Sequence, residues 1–167
     1  MRKTIVLIGM PGAGKSTVGV VLAKRLGLDF VDSDLVIQKK EGKLLHQLIQ
    51  QQGPEGFLET ENRINASLSP TAAVVATGGS VIYGKEAMEH FKQIAVVVYL
   101  KLSLATLKRR LGDLTERGVV LRPGQSLDDL YRERCPLYEK YAAHTIDCEG
   151  REIREIVEEI AQIIQTG

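Results

Sequence analysis

The sequence predicts an α/β fold, a five-stranded parallel sheet flanked by helices on both faces. Three observations carry this. Short β-branched apolar runs alternate with helix-length segments along the 167 residues. The runs Thr4–Ile8 and Ala95–Lys101 are apolar almost without interruption, as in strands buried on both faces. A glycine-rich loop joins the first run to the first helical segment.

Residues 16–27 read as the first helix, with Val18, Val21, Leu22 and Leu26 on one face and Gly27 as its stop. A short second strand over 30–32 leads into helical stretches at 34–41, 44–51 and 54–68. Residues 72–76 form the third strand, which Gly78 and Gly79 break. Ala95–Lys101 is the fourth strand, followed by a helix over 104–111. His144–Asp147 is the fifth. A closing helix over 151–165 is amphipathic on Ile153, Ile156, Val157, Ile160 and Ile164. Two stretches fall outside the alternation: the helical insert 34–70 and the Gly- and Arg-bearing segment 112–125. Insertions at a sheet edge are where substrate-binding pieces and lids tend to sit.

Composition narrows the function classes. No repeat or linker divides the chain, so one domain over 1–167 is expected. The 22 Lys+Arg against 21 Asp+Glu leave a net charge of +1, no electrostatic footprint for nucleic acid or an anionic membrane. Eight aromatics and no Trp argue against a base-stacking platform. The two cysteines, Cys135 and Cys148, lack metal or CxxC spacing and read as reduced thiols of a cytoplasmic protein. The N-terminal apolar run is too short for a signal segment, and no run is long enough to span a bilayer. A monomer is the expectation.

Gly9-Met10-Pro11-Gly12-Ala13-Gly14-Lys15-Ser16 matches G-x-x-x-x-G-K-[ST] between a strand and a helix, the context this phosphate-binding motif requires. Glycines let backbone N–H groups curl into an anion nest, and the helix N-terminus adds positive potential. Gly12, Ala13, Gly14, Lys15, Ser16 and Thr17 are therefore the expected contacts to ATP. Lys15, on a solvent-facing nest, reaches the β- and γ-phosphates, and Ser16 ligates Mg²⁺. Asp32 and Asp34 close the second strand, at the end of a parallel sheet that faces the ligand crevice. Asp32 suits the shell of Mg²⁺, and Asp34 an incoming hydroxyl as base or positioner. The plainer alternative makes Ser33 or Asp34 a cap for the following helix.

These residues, with Ala-Thr-Gly-Gly at 76–79 and Arg-x-Pro-Leu-Tyr at 134–138, occur in an order that resembles the shikimate kinases over essentially the whole chain. The resemblance implies a nucleoside-monophosphate-kinase-like fold with a helical acceptor-binding insert and a lid. It also implies Mg·ATP-dependent phosphorylation of a small hydroxylated acid, most simply shikimate to shikimate 3-phosphate. By that resemblance Asp34 holds the acceptor hydroxyls and Asp32 lies near the metal. Gly78 and Gly79 approach the acceptor by backbone, and Arg134 grips its carboxylate. Arg117 is the lid arginine at the phosphates, and Arg110 lies over the adenine. Bland alternatives stand beside these. Arg110 ends a helix, where a cation favours the dipole anyway, and Arg134 could be a solvated helix charge.

The chain departs from the family pattern at three places. Leu58 stands where the family has an arginine on the acceptor carboxylate, Ser80 replaces a third glycine, and the lid reads Arg117-Gly118-Val119-Val120, with Arg122-Pro123 a second possibility. One arginine–carboxylate contact is worth roughly 1.5–3 kcal/mol. Its loss leaves Glu61 without the partner that the resemblance gives it. Two acceptors are open: shikimate, or a hydroxy amino acid such as homoserine with its carboxylate on Arg134 and its ammonium on Glu61 or Glu59. A nucleotide-binding regulator without catalysis is a third possibility, of another class.

Overall fold

The computed structural model describes residues 3–111 and 119–167. Five parallel strands lie in the order β2-β3-β1-β4-β5: β1 Thr4–Ile8, β2 Asp29–Asp32, β3 Ala73–Ala76, β4 Ala95–Lys101 and β5 His144–Asp147. All five predicted strands are present. β1 is central, and every one of its residues is buried, which explains a run with no polar alternation. Helices α1 (Lys15–Leu26), α2 (Ser33–Glu41), α3 (Leu45–Ala66), α4 (Lys85–Ile94), α5 (Leu104–Arg110), α6 (Leu127–Tyr141) and α7 (Ile153–Thr166) complete the described chain. None is long and apolar enough to cross a membrane.

Several elements differ from the sequence reading in instructive ways. The stretches expected over 44–51 and 54–68 form one helix, α3, broken at Gly53 (φ 75°) just before Pro54. Val21 and Ile153 lie on the predicted buried faces of α1 and α7 yet are each 40% exposed. α7 buries the expected Ile156, Val157 and Ile160, with Ala161 beside them, and packs against α1. Two further helices, α4 and α6, carry weaker sequence signals. α4 buries Ala87, Met88 and Phe91, a one-sided pattern that was available to see. α6 hid because its buried positions, Leu130, Arg134, Tyr138 and Tyr141, include an arginine and two tyrosines, and because Pro136 lies inside it. Its start was nevertheless written in the sequence. Ser126 Oγ accepts from Asp129 N, and Asp129 returns a bond to Ser126 N, a reciprocal cap.

The main core lies on both faces of the sheet. A second, smaller apolar cluster of Ile37, Leu48, Phe57, Ile64 and Val120 holds α2 and α3 together and joins them to the segment after residue 118. The insert thus has packing of its own beside the strand ends.

Candidate active site

A cavity of about 280 Å³ opens at the carboxyl ends of the strands, lined from the phosphate loop, α2, α3, the turn after β3 and α6. This is where an open α/β sheet receives ligands.

The loop end is local. Gly12 and Gly14 have φ of 83° and 92°, the left-handed region that lets the chain turn into α1 with N–H groups facing inward. Lys15 is not on a solvent-facing nest as expected. It is 8% exposed, with Nζ donating to Gly9 O at 2.6 Å and Met10 O at 2.9 Å. Burial lowers its pKa to about 8, with Asp34 opposing. Arg110, at the end of α5, donates Nη1 to Gly12 O at 3.1 Å and so stands against the loop.

The two aspartates divide their work differently from the capping alternative. Asp32, not Ser33 or Asp34, caps α2: its Oδ1 accepts from Asp34 N at 3.0 Å and Leu35 N at 3.4 Å. Its Oδ2 accepts from Ser16 Oγ at 3.3 Å, so Ser16 and Asp32 present adjoining oxygens beside the phosphate loop. Asp34 is left free to line the cavity. Burial and then Asp32 raise its carboxyl to about 6, against the pull of Lys15.

The far end is assembled from distant parts of the chain. A Cβ on Gly78 would stand 2.7 Å from Asp34 Oδ1 and 3.1 Å from Glu61 Oε2, so a side chain there would have to displace these carboxylates. Glu61 is 2% exposed, its Oε1 accepts from Ser80 Oγ at 2.7 Å, and burial raises it to about 7. Arg134 is no solvated charge. It is 1% exposed, donates Nη2 to Val120 O at 2.9 Å, and lies over the Tyr83 ring at 5.4 Å. Its Nη1 comes within 3.1 Å of the point a Cβ on Gly79 would occupy.

Tyr138 and Thr77 hold this frame, and sequence reasoning assigned neither a site role. Tyr138 OH donates to Gly79 O at 2.5 Å, and Thr77 Oγ1 to Leu7 O at 2.8 Å. Ser80 was visible only as a departure from a pattern, and nothing local announces its bond to Glu61. Tyr83 bears on both Arg134 and Arg122. Leu58, expected to face the acceptor, is not among the cavity-lining residues and packs against the second apolar cluster; its neighbour Phe57 lines the cavity instead. Arg122 is occupied outside the cavity, paired with Glu55 at 2.8 Å and Glu133 at 3.2 Å. Arg117 lies outside the described residues, as does the first half of the expected lid, 112–118.

The family model for shikimate kinase matches residues 11–165. A shikimate kinase of Thermodesulfovibrio yellowstonii is 38% identical over 161 residues, covering 95% of this chain and 92% of that protein. Among solved structures, shikimate kinase from Acinetobacter baumannii in complex with shikimate superposes with a TM-score of 0.85 at 32% identity, over 99% of this chain and 94% of the other. The shikimate kinase of Aquifex aeolicus gives 0.83 at 31% identity, with 97% and 96% covered. Similarity that spans both the phosphate loop and the Arg134 helix places this chain in the shikimate kinase family, small-molecule phosphotransferases that act on an alcohol.

Proposed function

We propose that the protein transfers the γ-phosphoryl group of ATP to a hydroxyl of a small carboxylic acid in the cytoplasm, with shikimate as acceptor and shikimate 3-phosphate as product. The observation that carries this reading is the placement of Asp34 and Arg134 in the same cavity as the phosphate loop. An acid with a hydroxyl toward Asp34 and its carboxylate toward Arg134 spans that cavity, and the Acinetobacter baumannii relative is a complex with shikimate.

Each residue has a task its surroundings suit. Backbone N–H groups of 12–17 bind the phosphates, and Lys15 moves its ammonium from the loop carbonyls to the transferring phosphoryl. Arg110, at the loop's outer edge, borders the nucleotide. Asp34, raised to about 6, is ionised at neutral pH yet close enough to it to take the hydroxyl proton. Arg134 is held by Val120 O and Tyr83, so its guanidinium meets a carboxylate already oriented. Ser16 and Asp32 fit Mg²⁺, which prefers one or two protein oxygens together with phosphates and water; no cluster of three acidic, His or Cys ligands occurs among the described residues. When bound, Mg²⁺ neutralises charge on the phosphates.

ADP release with purified protein, ATP, Mg²⁺ and shikimate tests the reading, with the product identified by phosphorus NMR. Shikimate-dependent ADP release is expected. ATP binding without turnover of any hydroxy acid would instead identify a regulator.

A further inference from the structure

Glu61 is a carboxylate in the wall of the cavity that Arg134 and Lys15 act on only from beyond ion-pair distance. Among the described residues no Lys or Arg forms an ion pair with it, and Ser80, its one hydrogen-bond donor, engages Oε1 alone. Oε2 faces Gly78, where Asp34 Oδ1 also converges. One residue further on, at Gly79, the nearest charge is the opposite one, Arg134 Nη1. Arg134 is itself 1% exposed, and its Nε is buried without a partner. The cavity therefore brings a carboxylate against Gly78 and a guanidinium against the next residue, Gly79. The ammonium and carboxylate of an α-amino acid, both carried on one carbon, are separated by about 3 Å. An acid without a cation would meet Arg134 and leave Glu61 with Ser80 as its hydrogen-bond donor and no cation in contact with it.

We infer that this cavity also accepts zwitterionic hydroxy-α-amino acids, with the carboxylate on Arg134, the ammonium on Glu61 and the side-chain hydroxyl toward Asp34, and phosphorylates that hydroxyl. The inference rests on the phosphoryl transfer proposed above. The hydroxyl oxygen bonds to the γ-phosphorus of ATP, the bond from that phosphorus to the β–γ bridging oxygen breaks, ADP leaves, and the hydroxyl proton passes to Asp34. Selection of a cation by Glu61 needs its carboxyl ionised. Asp34 opposes that, Ser80, Arg134 and Lys15 favour it, and a bound ammonium adds to the favourable side.

The test offers L-homoserine, N-acetyl-L-homoserine and shikimate to the full-length protein with Mg·ATP, reading ADP release and the phosphorylated product. Homoserine is expected to be phosphorylated, and its N-acetyl derivative, which keeps the carboxylate and hydroxyl but has no cation, to lose about 10-fold or more in kcat/KM. Glu61→Gln is expected to raise KM for homoserine about 10-fold more than KM for shikimate. Turnover of shikimate with none of homoserine overturns the inference and leaves the proposed function standing. Turnover of homoserine with none of shikimate supports the inference and removes shikimate as the acceptor. No turnover of either overturns both. Equal turnover of homoserine and its N-acetyl derivative overturns the ammonium contact. That comparison needs only the unmodified protein, so it decides the matter even if Glu61→Gln fails to fold.

Discussion

The two ends of the cavity are built on different plans. The phosphate end comes from residues 9–17, one continuous stretch, and needs only a loop with left-handed glycines and a helix behind it. The acceptor end comes from α2, α3, the 77–80 turn and α6, which supply Asp34, Glu61, Gly78 and Arg134 across a hundred residues. The first presents backbone donors, whose cost is shared with the helix they begin. The second buries ionisable side chains, and their raised or opposed charges show what that assembly costs. Catalytic groups held at such a cost are those whose removal lowers activity while sparing or improving stability.

The largest expected effect sharpens the phosphate end. Lys15→Ala should lower turnover about 10³-fold or more, since charge on the transferring phosphoryl loses its partner. Melting temperature should change little, because what Lys15 grips in the free protein is loop carbonyl, not core. Near-normal turnover in a folded variant would break the contrast between the two ends.

Asp34→Asn probes the other end and separates activity from stability. Turnover should fall about 10²–10⁴-fold with ATP affinity kept. Because Asp32 is the cap of α2, no capping loss accompanies the change. Stability should move the opposite way. The folded protein holds the Asp34 proton up to about pH 6, whereas the unfolded chain releases it near the ordinary value of 3.8. Native stability therefore falls as pH rises between those values, and above pH 6 the full penalty applies. Asparagine removes it, a gain on the order of 3 kcal/mol at pH 7.5. Thermal melts of both proteins at pH 4 and 7.5 check this; a variant no more stable at the higher pH contradicts it.

The same titration sets a pH profile. With Asp34 as base, kcat/KM should fall about tenfold for each pH unit below about 6, and the acidic limb should vanish in Asp34→Asn. Arg134→Lys should raise KM for a carboxylate acceptor about 10-fold or more, because an ammonium cannot keep the Val120 carbonyl, the Tyr83 face and a carboxylate together. The smallest expected effect is at Leu58. Leu58→Arg should cost about 1 kcal/mol by opening the second apolar cluster, with KM for every acceptor changed less than about twofold. A substrate-selective change there would show that α3 turns a different face to the cavity.

The sheet and the phosphate loop are legible in the amino-acid order alone, because both are local. A strand buried on both faces must be continuously apolar, and a phosphate nest must place glycines and a lysine at fixed spacing. The amino-acid order also named Asp34 and Arg134, through a resemblance that covered their surroundings. The folded chain alone reveals which aspartate caps α2, that Lys15 is folded back onto its own loop, that Phe57 and not Leu58 meets the cavity, and that Ser80 is the partner of Glu61. Those facts depend on how α3 and α6 lie against the strand ends, and α6 carries a buried arginine where periodicity looks for a hydrophobe. The physical reason is range: hydrogen-bonded turns and strand burial act over a few residues, whereas the pairing of buried charges depends on groups that meet only when the chain has folded.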